Sequence, residues 1–268
     1  KKVNVDDCID TCGTGGDGSG SLNLSTAAGL IAAACGARVV KHGNRSISSR
    51  SGSADVLETL GIPIDLGPVE ASRSLDEHGF VFLFAPRYHP AMGTVMPVRR
   101  AMGVRTVFNM LGPLSNPASP SFQVVGAFSL EAAELMAHAL SGMEIQRAFV
   151  IHGALGWDEA TPIGPFDLFD VSNGQVRHER RDPKDVGLPR CTANDLAGGD
   201  AAYNANALAD VLSGVAGPYQ DASCLAAGLA LEVCGMASDM GEGIAMARVA
   251  ITDGRTGRLL ADLRGAYE

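Results

Sequence analysis

A glycine-rich stretch near the start of the chain, residues 10–26 (DTCGTGGDGSGSLNLST), could bind an anion through its backbone. Five glycines fall within eight positions, and they allow tight folding and leave backbone N–H groups unobstructed. A helix is predicted to begin near Ser25 and Thr26, where its first N–H groups and the positive end of its dipole favour negative charge. The spacing matches neither a Walker loop nor the dinucleotide-binding fingerprint. We interpret this stretch as a cradle for phosphate or pyrophosphate rather than as an ordinary flexible turn.

A second polar stretch, residues 41–53 (KHGNRSISSRSGS), follows a predicted strand. Open α/β sheets usually bind ligands at the carboxyl ends of their strands. Lys41, His42 and Arg45 supply positive charge, while Asn44 and nearby serines supply hydrogen bonds. Because the ends of successive parallel strands face the same side, this loop and the glycine-rich stretch are expected to meet one ligand. The alternative is a solvated surface loop.

An adjacent carboxylate pair, Asp158 and Glu159, follows another predicted strand in the stretch GALGWDEATP. A pyrophosphate ligand commonly travels with Mg²⁺, which prefers carboxylate oxygens and retained waters. A loop can bring two neighbouring side chains together or let them serve two ions. An exposed acidic turn is the alternative interpretation of the pair.

Residues 87–117 interrupt the otherwise regular pattern with two helix-like pieces separated by proline and glycine. An arginine here, such as Arg99, could pair in bidentate fashion with a substrate carboxylate, or it could face solvent. His89 could cap a helix or contact a substrate. The whole stretch is either a helical excursion from the sheet or a pair of covering helices.

Behind these polar stretches, short apolar runs alternate with helical patterns. Continuous runs such as FVFLFA and AFVIH are typical of strands buried on both faces. Strands that alternate with helices predict an α/β fold, a mostly parallel sheet flanked by helices on both sides. Strands are predicted at residues 37–41, 80–85 and 148–152, and helices at residues 25–35, 53–60, 69–78, 130–140, 204–213, 222–236 and 241–253.

Composition limits the classes of protein to which this chain could belong. Its 268 residues are 46% hydrophobic, enough for a sizeable core, and its net charge of −9 does not suit nucleic-acid binding. No apolar run reaches the ~20 residues of a membrane span, and no basic-then-apolar signal segment opens the chain. The six cysteines fit neither a zinc pattern nor a small disulfide framework, so reduced thiols in a cytoplasmic protein are expected.

Taken together, these stretches resemble the anthranilate phosphoribosyltransferase family. The shared sequence motifs are GTGGDG with NLSTA, KHGNRSISSRSGSADVLETLG, HPAM, VRRAMGVRTVFNMLGPLSNPA and the DE pair. They occur in the family's order, and the similarity covers almost the whole chain. The related pyrimidine nucleoside phosphorylases share the architecture but differ in the first motif. The resemblance implies transfer of a 5-phosphoribosyl group from phosphoribosyl pyrophosphate (PRPP) to the amine of anthranilate, the second step of the tryptophan branch, with Mg²⁺ as cofactor.

The resemblance also implies roles for individual residues. PRPP would be held by Gly13, Gly16, Asp17, Ser21, Asn23, Ser25, Thr26, Lys41, His42, Gly43, Asn44, Arg45, Ser48, Ser49 and Ser53. Anthranilate would be contacted by Gly13, His42, Asn44, His89, Arg99 and Pro113. Mg²⁺ would be held by Ser25, Asp158 and Glu159.

The family combines a large α/β domain with a small helical one. The resemblance places residues 1–86 and 118–268 in the α/β domain that binds PRPP, and residues 87–117 in a helical excursion belonging to the small α-helical domain. The family has several helices upstream of the glycine-rich stretch, whereas this chain begins about a dozen residues before it. We therefore expect a remnant of the helical domain. The family implies a homodimer, and the upstream helices missing from this chain leave that expectation open.

The expected chemistry depends on charge stabilisation and positioning. Departure of pyrophosphate leaves positive charge near the ribose C1, while Mg²⁺ and loop N–H groups stabilise the negative charge on the leaving group. The aromatic amine of anthranilate is neutral near pH 7, so positioning should dominate and no essential nucleophilic side chain is expected. The alternatives are a phosphoribosyl or nucleoside transferase with another acceptor, an inactive relative, and a nucleic-acid-binding relative.

Overall fold

The computed structural model describes residues 7–46, 50–94 and 106–266. Within these ranges seven strands form one sheet. The strands are β1 (Cys8–Gly13), β2 (Arg38–Gly43), β3 (Phe80–Phe84), β4 (Phe122–Gly126), β5 (Arg147–His152), β6 (Phe166–Ser172) and β7 (Gln175–Arg181). Their order across the sheet is β3-β2-β1-β4-β5-β6-β7.

The first five strands are parallel, and the last two are antiparallel. The mostly parallel sheet flanked by helices that the sequence predicts is therefore confirmed, and the three predicted strands correspond to β2, β3 and β5. Strand β7 (QVRHERR) lies at the sheet edge with mostly exposed or half-buried side chains, so it lacks the apolar run that marks a buried strand. This explains why β7 is absent from the prediction.

Helices connect and cover the strands. Their bounds are α1 (Leu24–Ala34), α2 (Ser53–Thr59), α3 (Pro68–His78), α4 (Ala85–Tyr88), α5 (Phe108–Leu111), α6 (Leu130–Ser141), α7 (Ala201–Leu212), α8 (Pro218–Val233), α9 (Met240–Thr252) and α10 (Arg255–Gly265). The seven helices predicted from the sequence correspond to α1, α2, α3, α6, α7, α8 and α9. No helix in the described ranges is long and apolar enough to cross a membrane.

Both faces of the sheet are buried, and alternation along each strand divides the apolar side chains between them. In β2, Val39 packs into the core formed with α1 and the C-terminal helices, while Val40 packs into a second cluster with α3. In β5, Phe149 packs into the same core as Val39, and Val150 packs on the other face of the sheet against α6. A strand covered on both faces needs apolar residues at successive positions, which is the pattern seen in the sequence.

The chain order of the parallel strands reverses beside β1. From β1 the chain builds β2 and β3 on one side, and then returns to place β4 on the other side. Open α/β sheets bind ligands in the crevice at such a reversal, outside the carboxyl ends of the strands. The glycine-rich stretch, the second polar stretch and the acidic pair follow β1, β2 and β5, so all three lie at this edge.

Candidate functional site

The glycine-rich loop runs from the end of β1 to the start of α1. Four of its glycines, Gly15, Gly16, Gly18 and Gly20, have φ between 60° and 77°. Side chains rarely adopt this left-handed conformation, so the path of the loop explains the glycine spacing. The loop delivers Asn23 to the position just before α1, where its carbonyl accepts N–H groups of the first helical turn.

The loop after β5 brings the acidic pair against the glycine-rich loop. Gly15 donates its N–H to Asp158 Oδ2 at 2.7 Å, and the Asp158 N–H donates to Asp17 Oδ2 at 3.2 Å. The N–H of Ser25, in the first turn of α1, donates to Glu159 Oε1 at 3.2 Å. Two segments more than 130 positions apart in the chain therefore meet at one point.

Close approach at this point requires glycine at the end of β1. A Cβ atom on Gly13 would lie 2.6 Å from Asp158 Oδ2. The turn that delivers the acidic pair is also tight, because the Gly153 N–H donates to the Trp157 carbonyl at 2.8 Å and Leu155 has a φ of 61°. A non-glycine residue in the left-handed region indicates a backbone held by its surroundings, which is common at functional sites.

The acidic pair has electrostatic properties that suit a cation. Burial raises the pKa of both Asp158 and Glu159 well above the usual carboxyl range, and repulsion from Asp17 and between the two neighbours raises the pKa further. Ionised carboxylates held together in a poorly solvated place are costly unless a positive charge joins them. The pair lines a small cavity together with Thr11, Ser25 and other residues.

The donor set fits magnesium. Within the described residues no group of three or more His, Cys, Asp or Glu side chains is arranged to hold a metal ion. Mg²⁺ does not require such a cage, since it is commonly bound by one or two carboxylates with retained waters and substrate phosphates. Asp158, Glu159 and the hydroxyl of Ser25 are all oxygen donors at this point. That they hold Mg²⁺, as the resemblance implies, stays a prediction.

Lys41 lies beneath the glycine-rich loop rather than in solvent. Its side chain is 1% exposed, and its ammonium group donates to the Thr11 carbonyl and, at 3.3 Å, to Ser25 Oγ. Burial lowers the pKa of Lys41, while the nearby carboxylates of Asp10 and Glu159 oppose that effect. Lys41, one of the residues that the resemblance assigns to PRPP binding, is therefore buried beside the acidic pair.

Asp10 holds the neighbouring strand ends together from within β1. Its two carboxylate oxygens accept the His42 N–H at 3.2 Å and the amide of Asn116 at 2.8 Å. Burial raises the pKa of Asp10 to about 6, although Lys41 and these hydrogen bonds act in the opposite direction. Asp10 and Asn116 thus tie together the strands that carry the loops, and no local pattern in the sequence predicts this contact.

The second polar loop lies beside the first, but its arginine is engaged elsewhere. Arg45 pairs with Asp55 at 2.9 Å and with Glu58 at 2.8 Å, on the exposed side of α2. Ser53 Oγ donates to the Asn44 carbonyl at 3.3 Å, which closes the loop onto the start of α2. The predicted ligands Ser48 and Ser49 lie outside the described residues.

Two predicted acceptor-side histidines meet at this edge. The rings of His42 and His89 pack edge to face, with centroids 5.1 Å apart. The buried Nε2 atoms of both rings lack a hydrogen-bond partner among the described residues, as does the buried hydroxyl of Thr26. Burial, reinforced by His89, lowers the pKa of His42 to about 4, so its ring is neutral at pH 7. Unsatisfied buried polar atoms often mark places where a ligand belongs.

The segment that returns to β4 is tied to the sheet near the site. The Pro113 carbonyl accepts the side-chain amide of Gln123 at 3.1 Å, and Asn116 also donates to the Val40 carbonyl at 2.8 Å. Pro113, predicted to line the acceptor path, is thereby placed against β4. Arg99, the predicted partner of the anthranilate carboxylate, lies outside the described residues.

The remaining predicted ligands belong to the loops already described. Ser21 forms an isolated β-bridge with Ala197, and its hydroxyl accepts from Ser19 Oγ at 3.2 Å. Gly43 ends β2 close to Ser53. Asn23 accepts a hydrogen bond from Asn204 at 2.9 Å, a residue that sequence reasoning missed because it lies 181 positions away.

Comparison with known proteins gives a consistent result. The chain matches the model of the glycosyl transferase family, a/b domain, over residues 5–257. An anthranilate phosphoribosyltransferase from Rhodopseudomonas palustris (strain BisB5) is 46% identical, in an alignment that covers 97% of this chain and 79% of the relative.

Solved structures show the same similarity in three dimensions. Anthranilate phosphoribosyltransferase from Thermus thermophilus superimposes with a TM-score of 0.92 at 43% identity, covering 98% of this chain and 79% of that one. The enzyme of that name from Saccharomyces cerevisiae, in complex with PRPP and Mg, gives a TM-score of 0.89 at 30% identity, covering 98% and 75% respectively.

Proposed function

This chain belongs to the anthranilate phosphoribosyltransferase family, and from that premise we propose that it transfers the 5-phosphoribosyl group of PRPP to the amine of anthranilate. The products are N-(5-phosphoribosyl)anthranilate and pyrophosphate, in the second step of tryptophan biosynthesis. One observation supports the proposal above all. The glycine-rich loop and the acidic pair meet through the hydrogen bonds from Gly15 to Asp158 and from Ser25 to Glu159.

The donor side of the site suits a phosphorylated sugar. The glycine-rich loop and the first turn of α1 offer backbone N–H groups, and Asn23, Ser25 and Thr26 offer short polar side chains. We assign the predicted PRPP ligands of both loops to this role. Lys41 adds a positive charge below the loop.

Mg²⁺ would be held by Asp158, Glu159 and Ser25 together with phosphate oxygens of PRPP. When bound, it supplies charge stabilisation to the departing pyrophosphate. Residues of the chain itself keep the acidic pair in place, through the N–H groups of Gly15 and Ser25.

The acceptor side would bind anthranilate next to the ribose C1. In the reaction the C1–O bond to pyrophosphate breaks, a C1–N bond forms, and the amine loses one proton. The rings of His42 and His89, the Pro113 region, Gly13, Asn44 and Arg99 would enclose the aromatic ring and its carboxylate. Because the amine is already neutral at pH 7, the main task of these residues is to hold it in line with C1.

The proposal also covers the organisation of the chain. Residues 87–117 would belong to a helical unit that closes the acceptor side, beside the PRPP-binding α/β part. A homodimer and a cytoplasmic location are what the family and the six thiols suggest.

Two measurements test the proposed reaction. Calorimetry should show that PRPP binds in the presence of Mg²⁺, and the fluorescence of anthranilate should decay when all three are mixed with the protein. Thymidine with inorganic phosphate serves as the competing substrate pair, and it should give no turnover. Turnover of thymidine without consumption of anthranilate would contradict the proposal.

Replacement of Arg99 tests the assignment of the acceptor carboxylate. We expect Arg99→Ala to raise the anthranilate KM about 10-fold to 100-fold, since a charge-assisted bidentate contact is lost. The PRPP Kd should stay within about twofold, because PRPP is assigned to the other side of the site. Steady-state kinetics with each substrate varied separate these effects, and an equal loss for both substrates would remove Arg99 from the acceptor site.

A further inference from the structure

The returning limb of the glycine-rich loop is held by a distant connection, residues 193–200, which leads into α7. The Gly198 N–H donates to the Gly20 carbonyl at 2.8 Å, and the Leu22 N–H donates to the Leu196 carbonyl at 3.0 Å. The loop that would bind phosphate is therefore clamped along its backbone by a segment from the C-terminal third of the chain.

Asn204, in the first turn of α7, extends this clamp to a side chain. It is 2% exposed. Its Oδ1 accepts the Gly199 N–H at 2.7 Å, and its Nδ2 donates to Asn23 Oδ1 at 2.9 Å. Asn23 in turn directs its Nδ2 across to the second loop, where the Ser51 carbonyl lies at 3.5 Å.

The Gly199 N–H fixes the direction of the hydrogen bonds through the side-chain amides of Asn204 and Asn23. A backbone N–H can only donate, so Gly199 requires the carbonyl end of the Asn204 amide. The amino end of Asn204 must then face Asn23, which in turn requires the carbonyl end of the Asn23 amide. The amino end of Asn23 is thereby directed into the space between the two loops.

We propose that Asn204 is a positioning residue for the phosphoribosyl donor, because it orients the Asn23 amide so that one N–H is directed to the Ser51 carbonyl and the other is left to donate to the anion. This inference rests on the proposed function, since it assumes that the two loops bind PRPP. An amide turned the other way would present its carbonyl oxygen to phosphate oxygens, and acceptors facing acceptors repel. The orientation of one side chain thus decides whether Asn23 attracts or repels the substrate.

Asn204→Asp tests the orientation without a change in side-chain shape. The introduced carboxylate keeps one oxygen for the Gly199 N–H but turns a second oxygen toward Asn23, whose amide must then flip to donate. We expect the Kd of PRPP with Mg²⁺ to rise about 10-fold to 100-fold, as for loss of a hydrogen bond to a charged group. The anthranilate KM at saturating PRPP should change less than about twofold.

Asn194→Asp is the matched control. Asn194 is exposed on the same connection, so the control adds an equal charge near the glycine-rich loop and leaves the amide chain intact. We expect its PRPP Kd to stay within about twofold of that of the unaltered protein. An equal loss of affinity in both variants would assign the effect to charge and overturn the inference.

A double-mutant cycle keeps the test decisive if Asn204→Asp destabilises the fold. Asn204→Ala leaves the Asn23 amide unfixed and should raise the PRPP Kd about 3-fold to 10-fold. In the Asn23→Ala background the same change should have almost no further effect on the Kd, because Asn204 acts through Asn23. Additive losses would show a purely structural role and overturn the inference.

The outcomes separate this inference from the proposed function. If the unaltered protein fails to bind PRPP, the proposed function fails. If it binds PRPP and the Asn204 variants bind with the same Kd, the proposed function stands and the role of Asn204 is wrong.

Discussion

The two ends of β5 hold buried acidic side chains in opposite ways. At the amino end, Arg147 forms a salt bridge with Asp170 at 2.8 Å, and the adjacent Arg181 forms a bidentate pair with Glu232 at 2.6 and 2.8 Å. Both guanidinium groups also pack on the Phe149 ring. Each of these two acidic groups is matched by an arginine.

At the carboxyl end the carboxylates face one another. Asp158 and Glu159 accept backbone N–H groups from Gly15 and Ser25, and Asp17 lies beside them. Lys41 is the nearby cation, but its ammonium group donates to the Thr11 carbonyl and the Ser25 hydroxyl. The paired charges near Arg147 therefore stabilise the fold, whereas the crowded carboxylates suit a cation that arrives with the substrate.

Glu159→Gln should cause the largest loss of activity. A neutral amide in place of the carboxylate weakens the metal site, and loss of about 3 kcal/mol of charge stabilisation corresponds to a fall of about 100-fold or more in kcat/KM. Initial rates over a range of Mg²⁺ concentrations check the result. Full activity at low Mg²⁺ would show that Glu159 is not a metal ligand.

Glu232→Gln should lower the stability of the protein and leave its activity nearly unchanged. The change removes the charge-assisted hydrogen bonds to Glu232 and leaves Arg181 with Glu179, at 2.6 Å, as its remaining acidic partner. We therefore expect a loss of about 2 kcal/mol in the free energy of unfolding. Denaturant titration measures this loss. The kcat/KM at a temperature where the variant is folded should stay within about twofold, because the pair lies at the opposite end of β5 from the site. A large loss of kcat/KM in the folded variant would break the contrast between the two ends.

Asp158→Asn should give a smaller effect that depends on pH. The pKa of Asp158 is higher in the folded protein than in the unfolded chain. Ionisation of Asp158 therefore lowers the free energy of unfolding as the pH rises above the ordinary pKa of a carboxyl group. Without metal at pH 8, the variant should therefore be about 1 kcal/mol more stable than the wild-type protein. The difference should vanish near pH 4, where the wild-type carboxyl is protonated.

Thermal unfolding at several pH values, with and without Mg²⁺ and PRPP, tests that expectation. Mg²⁺ with PRPP should raise the wild-type Tm more at pH 8 than at pH 6, and the variant should lose most of this increase. A metal-free variant that is less stable than wild type at pH 8 would show that Asp158 is a structural carboxylate like Asp170.

Local patterns in the sequence predicted the fold class, and they predicted that polar loops meet at one edge of the sheet. Buried apolar runs identified β2, β3 and β5, and a loop rich in glycine, a polar loop and an acidic pair each followed a strand. Parallel strands place such loops at one edge, so their convergence followed from the fold class alone.

Other features depend on contacts that no local pattern contains. Asn116 meets Asp10 across 106 positions, and Asn204 meets Asn23 across 181. An isolated asparagine gives no sign of its distant partner. Arg45 shows the converse case, since its charge predicted an anion contact while Asp55 and Glu58 on the following helix occupy its guanidinium group. The PRPP contact of Arg45 remains a prediction.

We propose that the loops after β1, β2 and β5 bind one diphosphate-bearing sugar together, and that Asp158 and Glu159 would hold the metal ion that accompanies it. The most direct test is a crystal of the protein with PRPP and Mn²⁺ in place of Mg²⁺, measured for anomalous scattering. We expect a manganese peak within bonding distance of a carboxylate of that pair and of a phosphate oxygen. A peak elsewhere, or PRPP bound away from the glycine-rich loop, would contradict it.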